Sequence, residues 1–157
     1  MPSLQVITTF PQNRWDVYAK RMLQSHIDYW PDDVKITAYH EGPTPDLHHE
    51  KIEYINTEKV NPDLVAFKNR HKNDPVANGE LQEIAGGARR HPSAGNNDRG
   101  KGSYLWDAVR FAHKTFAVDH AIKNIDVDYV LWLDADTYTF RSIPKDFVTN
   151  LLPFDKL

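Results

Sequence analysis

The sequence predicts an α/β domain whose mainly parallel sheet is flanked by helices, and three observations carry that prediction. Strand-like apolar runs alternate with segments of helical period along the chain. The strand runs are continuously apolar rather than alternating, as strands covered on both faces must be. The main runs stop at Pro11, at Gly42-Pro43 and at an acidic pair after Leu133, which is where strands leave a sheet for loops. With 157 residues, 40% hydrophobic and 26% charged, the chain has the size and core material of one domain spanning residues 1–157.

Each element has a local reason. Residues 4–10, LQVITTF, are β-branched and aromatic and end at Pro11, the signature of a buried strand entering a loop. Asn13 can cap a helix over residues 15–30, where Trp15, Tyr18, Ala19, Met22, Leu23 and Trp30 recur at helical spacing and Pro31 closes the run. Residues 34–41 form a second strand and 52–55 a third, and Asn61-Pro62-Asp63 opens a helix to about Lys72 with proline in its first turn. Residues 71–103 hold six of the seven glycines and keep no period, so a mobile loop is expected over 74–102. A helix follows from a cap at Ser103 to about Ile125. Its two apolar stripes, Leu105, Val109, Ala112, Phe116 and Phe111, Val118, Ile122, Ile125, make it the central helix, with Asp107, Arg110 and Lys114 on the polar remainder. Residues 128–133, DYVLWL, are the most strand-like run, and a last helix is expected over 144–152.

Composition removes several function classes. Lys plus Arg number 19 against 22 Asp plus Glu, a net charge of -3, which argues against a protein that holds nucleic acid by neutralising phosphates. With no cysteine, disulfides, thiolate metal sites and thiol nucleophiles are excluded. No leader-like start and no apolar stretch of the roughly 20 residues a bilayer requires is present, so a cytoplasmic protein without membrane association is expected. Eight histidines invite a metal site, but no H-E-x-x-H occurs and surface histidines are the expectation. No G-x-S-x-G elbow supports a hydrolase.

The chemistry concentrates after the last strand. Ligands of open parallel sheets gather outside the carboxyl ends of the strands, where Asp134-Ala135-Asp136 falls. Residues two apart on an extended chain point the same way, so Asp134 and Asp136 are expected to converge on one ion across the small Ala135. Two hard oxygen ligands with positions left for phosphate oxygens suit Mn2+ or Mg2+. Such an ion would hold a di- or triphosphate and neutralise charge on a leaving group.

With those residues in view, VLWLDAD resembles the Asp-x-Asp motif of glycosyltransferases with the GT-A fold, a Rossmann-like nucleotide-sugar-binding domain. The resemblance extends to the first strand ending at Thr8, Thr9 and Phe10, to Tyr39-His40-Glu41 closing the second, and to the helix WDAVRFAHK before the motif. It implies a metal-dependent transferase moving sugar from a nucleotide-diphosphate donor, UDP-sugar favoured, to an acceptor hydroxyl. Asp136 would be the principal Mn2+ ligand, with Asp134 sharing the metal or holding the ribose. Thr8, Thr9 and Phe10 would meet base and ribose, Glu41 the uridine, and Arg110 and Lys114 the diphosphate or donor sugar.

The family usually continues through further strands that supply the acceptor site and a catalytic carboxylate. This sequence reaches Leu157 soon after the motif, and neither Asp146 nor Asp155 is assigned as a base, so the expectation is a short or C-terminally truncated member. Two alternatives stand beside it: a nucleotide-sugar-binding module without full catalytic machinery, and a P-loop-like NTP-binding protein. The second rests on GNNDRGKG at 95–102, where Gly102 occupies the hydroxyl position and no apolar strand enters the loop. An incomplete sheet could also leave an edge for a second copy in a homodimer.

Overall fold

A computed structural model describes residues 3–83, 89–92, 107–144, 146, 147 and 150. In chain order these carry β1 (Leu4–Phe10), α1 (Lys20–Tyr29), β2 (Lys35–His40), β3 (Ile52–Asn56), α2 (Thr57–Val60), α3 (Pro62–His71), β4 (Gln82–Glu83), β5 (Arg89–Arg90), α4 (Ala108–Asn124) and β6 (Tyr129–Trp132). The chain divides into two compact units. One comprises residues 1–60 and 117–157, the other residues 61–116.

The first unit is α/β, with a four-stranded, all-parallel sheet in the order β3-β2-β1-β6. Alternation along β1 splits its side chains between two layers. Val6 and Phe10 join Ile36 and Ala38 of β2 and Ala19, Met22 and Leu23 in one core, while Ile7 and Tyr39 meet Ala117 and Ala121 of α4 in the other. Helices therefore cover both faces, which is why β1 and β2 read as unbroken apolar runs. At the opposite end of the strands, Asp128 accepts hydrogen bonds from the Ser3 backbone (2.7 Å) and hydroxyl (2.8 Å), and these hold its carboxyl below the usual carboxylate range. That clamp sets the register in which Leu4 lies beside Tyr129.

Several elements differ from expectation. The segment before α1 is not one helix from residue 15: Gln12–Arg14 makes a 3-10 turn and Trp15–Ala19 a π-helical turn, with Asn13 inside the first rather than capping. Helix α4 packs on small residues. In the first unit Ala117 and Ala121 are buried against Ile7 and Tyr39, whereas Ile122 is 67% exposed; alanine permits close approach to the sheet, and the larger side chain is left on the open flank. In the second unit Ala112 is buried and Phe111 is 45% exposed. β6 is half-buried along its length, consistent with its place at the edge of the sheet among the described residues.

The carboxyl-terminal end of α1 is closed by a side chain from far along the chain. Lys51, only 4% exposed, donates to Ile27 O (3.0 Å) and Trp30 O (2.8 Å) and pairs with Asp32 (3.0 Å). A cation at this pole satisfies carbonyls the helix leaves over and complements its dipole. Beside it, His26 is buried and stacked on Trp30, with Nε2 donating to Val34 O at 2.9 Å. Its Nδ1 is buried without a hydrogen-bond partner, so a second proton there would have nothing to receive it. Burial first, and the Lys51 charge in addition, lower its pKa from 6.5 to about 4.

The second unit is built on α3 and the first part of α4. Pro62 occupies the first turn of α3, as expected, and Leu64 is fully buried. Residues 74–79, expected to be mobile, are tied into a turn: Asp74 Oδ1 accepts the Val76 and Ala77 amides (3.0 and 3.2 Å), and Asn78 Nδ2 donates to His71 O and Asp74 O. β4 and β5 pair antiparallel within the same region. Asp107 caps α4 by accepting the Arg110 amide at 2.8 Å, the role assigned to Ser103, which with residues 93–106 lies outside the described residues. The P-loop-like stretch 95–102 also lies outside them, as does most of the helix expected over 144–152.

Lys51→Met is expected to leave the two helix carbonyls unpaired and to destabilise the protein by about 2 kcal/mol, read as a lower urea midpoint at unchanged slope. His26 gives a pH dependence. Above pH 6.5 it is neutral folded and unfolded, and between 6.5 and about 4 only the unfolded chain takes the proton. Stability should therefore fall across that window by about 3 kcal/mol and level off below it. His26→Gln should flatten the same part of the profile in urea titrations.

Candidate functional site

The winding of the sheet marks one edge. From β1 the chain steps outward to β2 and β3, then returns to the other side of β1 with β6. Between β1 and β6 the direction reverses, and the carboxyl ends of all four strands share one edge; such switch points are where open parallel sheets receive ligands. The loops leaving β1 and β2 meet there. Gly42 has φ +72, the left-handed region that favours glycine, and a Cβ on it would also have to displace the end of the Gln12 side chain. Glu41 donates its amide to Phe10 O at 3.4 Å, and Asn56 Nδ2 reaches Gly42 O at 2.9 Å.

Asp134-Ala135-Asp136 stands at this edge, but on a turn rather than on extended chain. β6 ends at Trp132, Leu133 N still bonds Ile7 O, and Asp134 O then accepts both the Thr137 amide (3.1 Å) and hydroxyl (2.7 Å). Strand alternation therefore stops before the pair, and the turn rather than the strand places the two carboxylates. Instead Asp134 accepts the Trp132 indole N–H at 2.8 Å, Ala135 is buried in the α1-side core, and the Asp136 side chain is exposed. The donors offered are carboxylate oxygens, with no sulfur in the set, which fits a hard divalent cation.

The other expected residues are distributed unevenly. Thr8 and Phe10 are buried on the α1 side, Thr8 Oγ1 without a hydrogen-bond partner, while Thr9 and Glu41 are half-buried. At the strand end, then, Thr9, Glu41 and the backbone are what a ligand could reach. A carboxylate oxygen of Glu41 lies within 4.8 Å of one from Glu58, at the start of α2; no pattern in the sequence distinguished Glu58. Arg110 and Lys114 belong to the second unit, where Arg110 is exposed and Lys114 half-buried. Asp107 meets the Arg110 backbone amide rather than its guanidinium.

The chain beyond the turn is strapped along α1. Ser25 Oγ accepts the Thr139 amide (3.0 Å), the Trp30 indole donates to Thr139 Oγ1 (2.8 Å), and Ile143 N reaches Tyr29 O (2.9 Å). On the other face of the sheet, a cavity of about 290 Å³ is lined mainly by apolar side chains, among them Ile7, Val118, Ile122 and Trp132, with Asp128 also in its wall. The histidines are not a surface population: His26, His40, His91 and His113 are buried. His120 Nδ1 and the Tyr39 hydroxyl share a hydrogen bond of 2.9 Å, and burial, then the charge of Glu53, push that phenol up to about 12.

No family model, no curated protein and no solved structure matches this chain. Among the described residues, no helix is long and apolar enough to cross a membrane.

Thr137→Val removes the hydroxyl bond to Asp134 O while keeping the shape. A loss of about 1 kcal/mol is expected, together with faster hydrogen exchange of the residue-137 amide.

Proposed function

We propose that the first unit is the donor-binding part of a metal-dependent glycosyltransferase of the GT-A type, taking a nucleotide-diphosphate sugar, with UDP-sugar favoured. The observation that carries this reading is the acidic pair following directly on β6 at the reversal of the sheet. In this reading Asp136, exposed, is the principal ligand of Mn2+ or Mg2+. Asp134, shared with the Trp132 indole, supports the ion or the ribose. Thr9, the backbone of residues 8–10 and Glu41 face base and ribose. A bound divalent ion would supply Lewis-acid stabilisation of the diphosphate that leaves. The chain's contribution is a fixed turn and a rigid parallel sheet beneath it, so little ordering remains to be done on binding. The sugar would pass to an acceptor hydroxyl, and no residue is assigned as its base.

Calorimetric titration with UDP- and GDP-sugars in the presence of Mn2+ tests the reading. Binding should disappear with a chelator and weaken by about tenfold or more in Asp136→Asn, the loss typical of a charge-assisted contact. Affinity unchanged by either treatment would overturn it.

A further inference from the structure

The segment after the acidic turn presents two rings and one guanidinium group, and α1 adds a second guanidinium; the donor site uses none of them. Phe140 is 75% exposed and Tyr138 49%. Arg21 of α1 lies over Tyr138, its guanidinium carbon 3.7 Å from the ring centroid, and Arg141 lies 5.9 Å from that of Phe140. A guanidinium stacked on a ring keeps its N–H edge for a carboxylate or phosphate, which it can grip with two hydrogen bonds. Among the described residues neither Arg21 nor Arg141 has a carboxylate partner. In a chain of net charge -3, that is a local positive surface left without internal neutralisation.

The backbone beneath is held in place. Thr139, between the two rings, is fixed by Ser25 and Trp30, and Ile143 by Tyr29 O. Exposed aromatic faces on a fixed backbone suit the C–H faces of a sugar ring, since little side-chain freedom is lost on contact.

We propose that Arg21, Tyr138, Phe140 and Arg141 form a binding surface for a saccharide carrying a carboxylate or phosphate. Its ring lies on the exposed aromatic face and its anionic group on the guanidiniums. Calling this saccharide the acceptor rests on the transferase reading above; the binding itself does not.

Calorimetry without metal or nucleotide tests it, using trigalacturonate, glucose 6-phosphate, neutral maltotriose and inorganic phosphate as probes. At least one acidic saccharide should bind about tenfold or more tightly than maltotriose, and whichever binds tighter identifies the anion. Arg21→Gln/Arg141→Gln and, separately, Phe140→Ser should each weaken binding about tenfold, the second with charge unchanged. Circular dichroism confirms that each variant is folded, and Arg141→Gln alone serves where the double variant is not. No binding of either acidic saccharide, equal binding of maltotriose, undiminished binding in the arginine variants, or phosphate alone binding as tightly as glucose 6-phosphate would each overturn the proposal. Failure here with intact Mn2+-dependent nucleotide binding removes this surface only; the converse removes the donor reading only.

Discussion

β1 has to satisfy four demands at once. Its backbone bonds β2 on one edge and β6 on the other, while its side chains pack under α1 on one face and against α4 on the other. A strand so placed tolerates little besides Val, Ile, Phe and Thr, and the order of everything around it follows. Because the chain turns one way from β1 to reach β2 and comes back on the other side to lay down β6, the ends of both connections open over β1. The acidic turn, the Gly42 loop and the start of the strap along α1 all inherit their positions from that arrangement.

A second constraint lies at the far end of α1, where two groups that are costly to bury sit side by side. Three oxygens receive the Lys51 ammonium, while His26 is held neutral by burial first, with only one ring nitrogen partnered. The lysine precedes β3 and the histidine faces the entry to β2, so a polar junction ties helix to sheet where the apolar core runs out. Their proximity also reinforces the asymmetry, since the lysine charge disfavours a second cation next to it.

Much of this was legible beforehand. The apolar runs gave β1, β2, β3 and β6 nearly at their observed bounds, and Pro62 gave the start of α3. What misled was reasoning from residue size: the bulk of Phe111 and Ile122 suggested coverage, yet the sheet is met by alanines whose value lies in how near they let a helix come. At the acidic pair, period-two alternation would have to run four residues past the strand to reach Asp136, and the bonds from Thr137 to Asp134 O turn the chain before that. Nothing in the local sequence distinguishes His26 or Lys51, because their importance arises from contacts with residues distant in sequence.

The bond from the Trp132 indole to Asp134 gives the acidic turn an optical property. Indole emission responds to the charge accepting its N–H, so a cation that draws the Asp134 carboxylate away alters the fluorescence of a residue lying only two positions along the chain. Trp15 and Trp30 spend their own N–H groups on Asp46 and Thr139, so these three indoles report on three different places. The turn thereby carries its own probe for the cation binding proposed above.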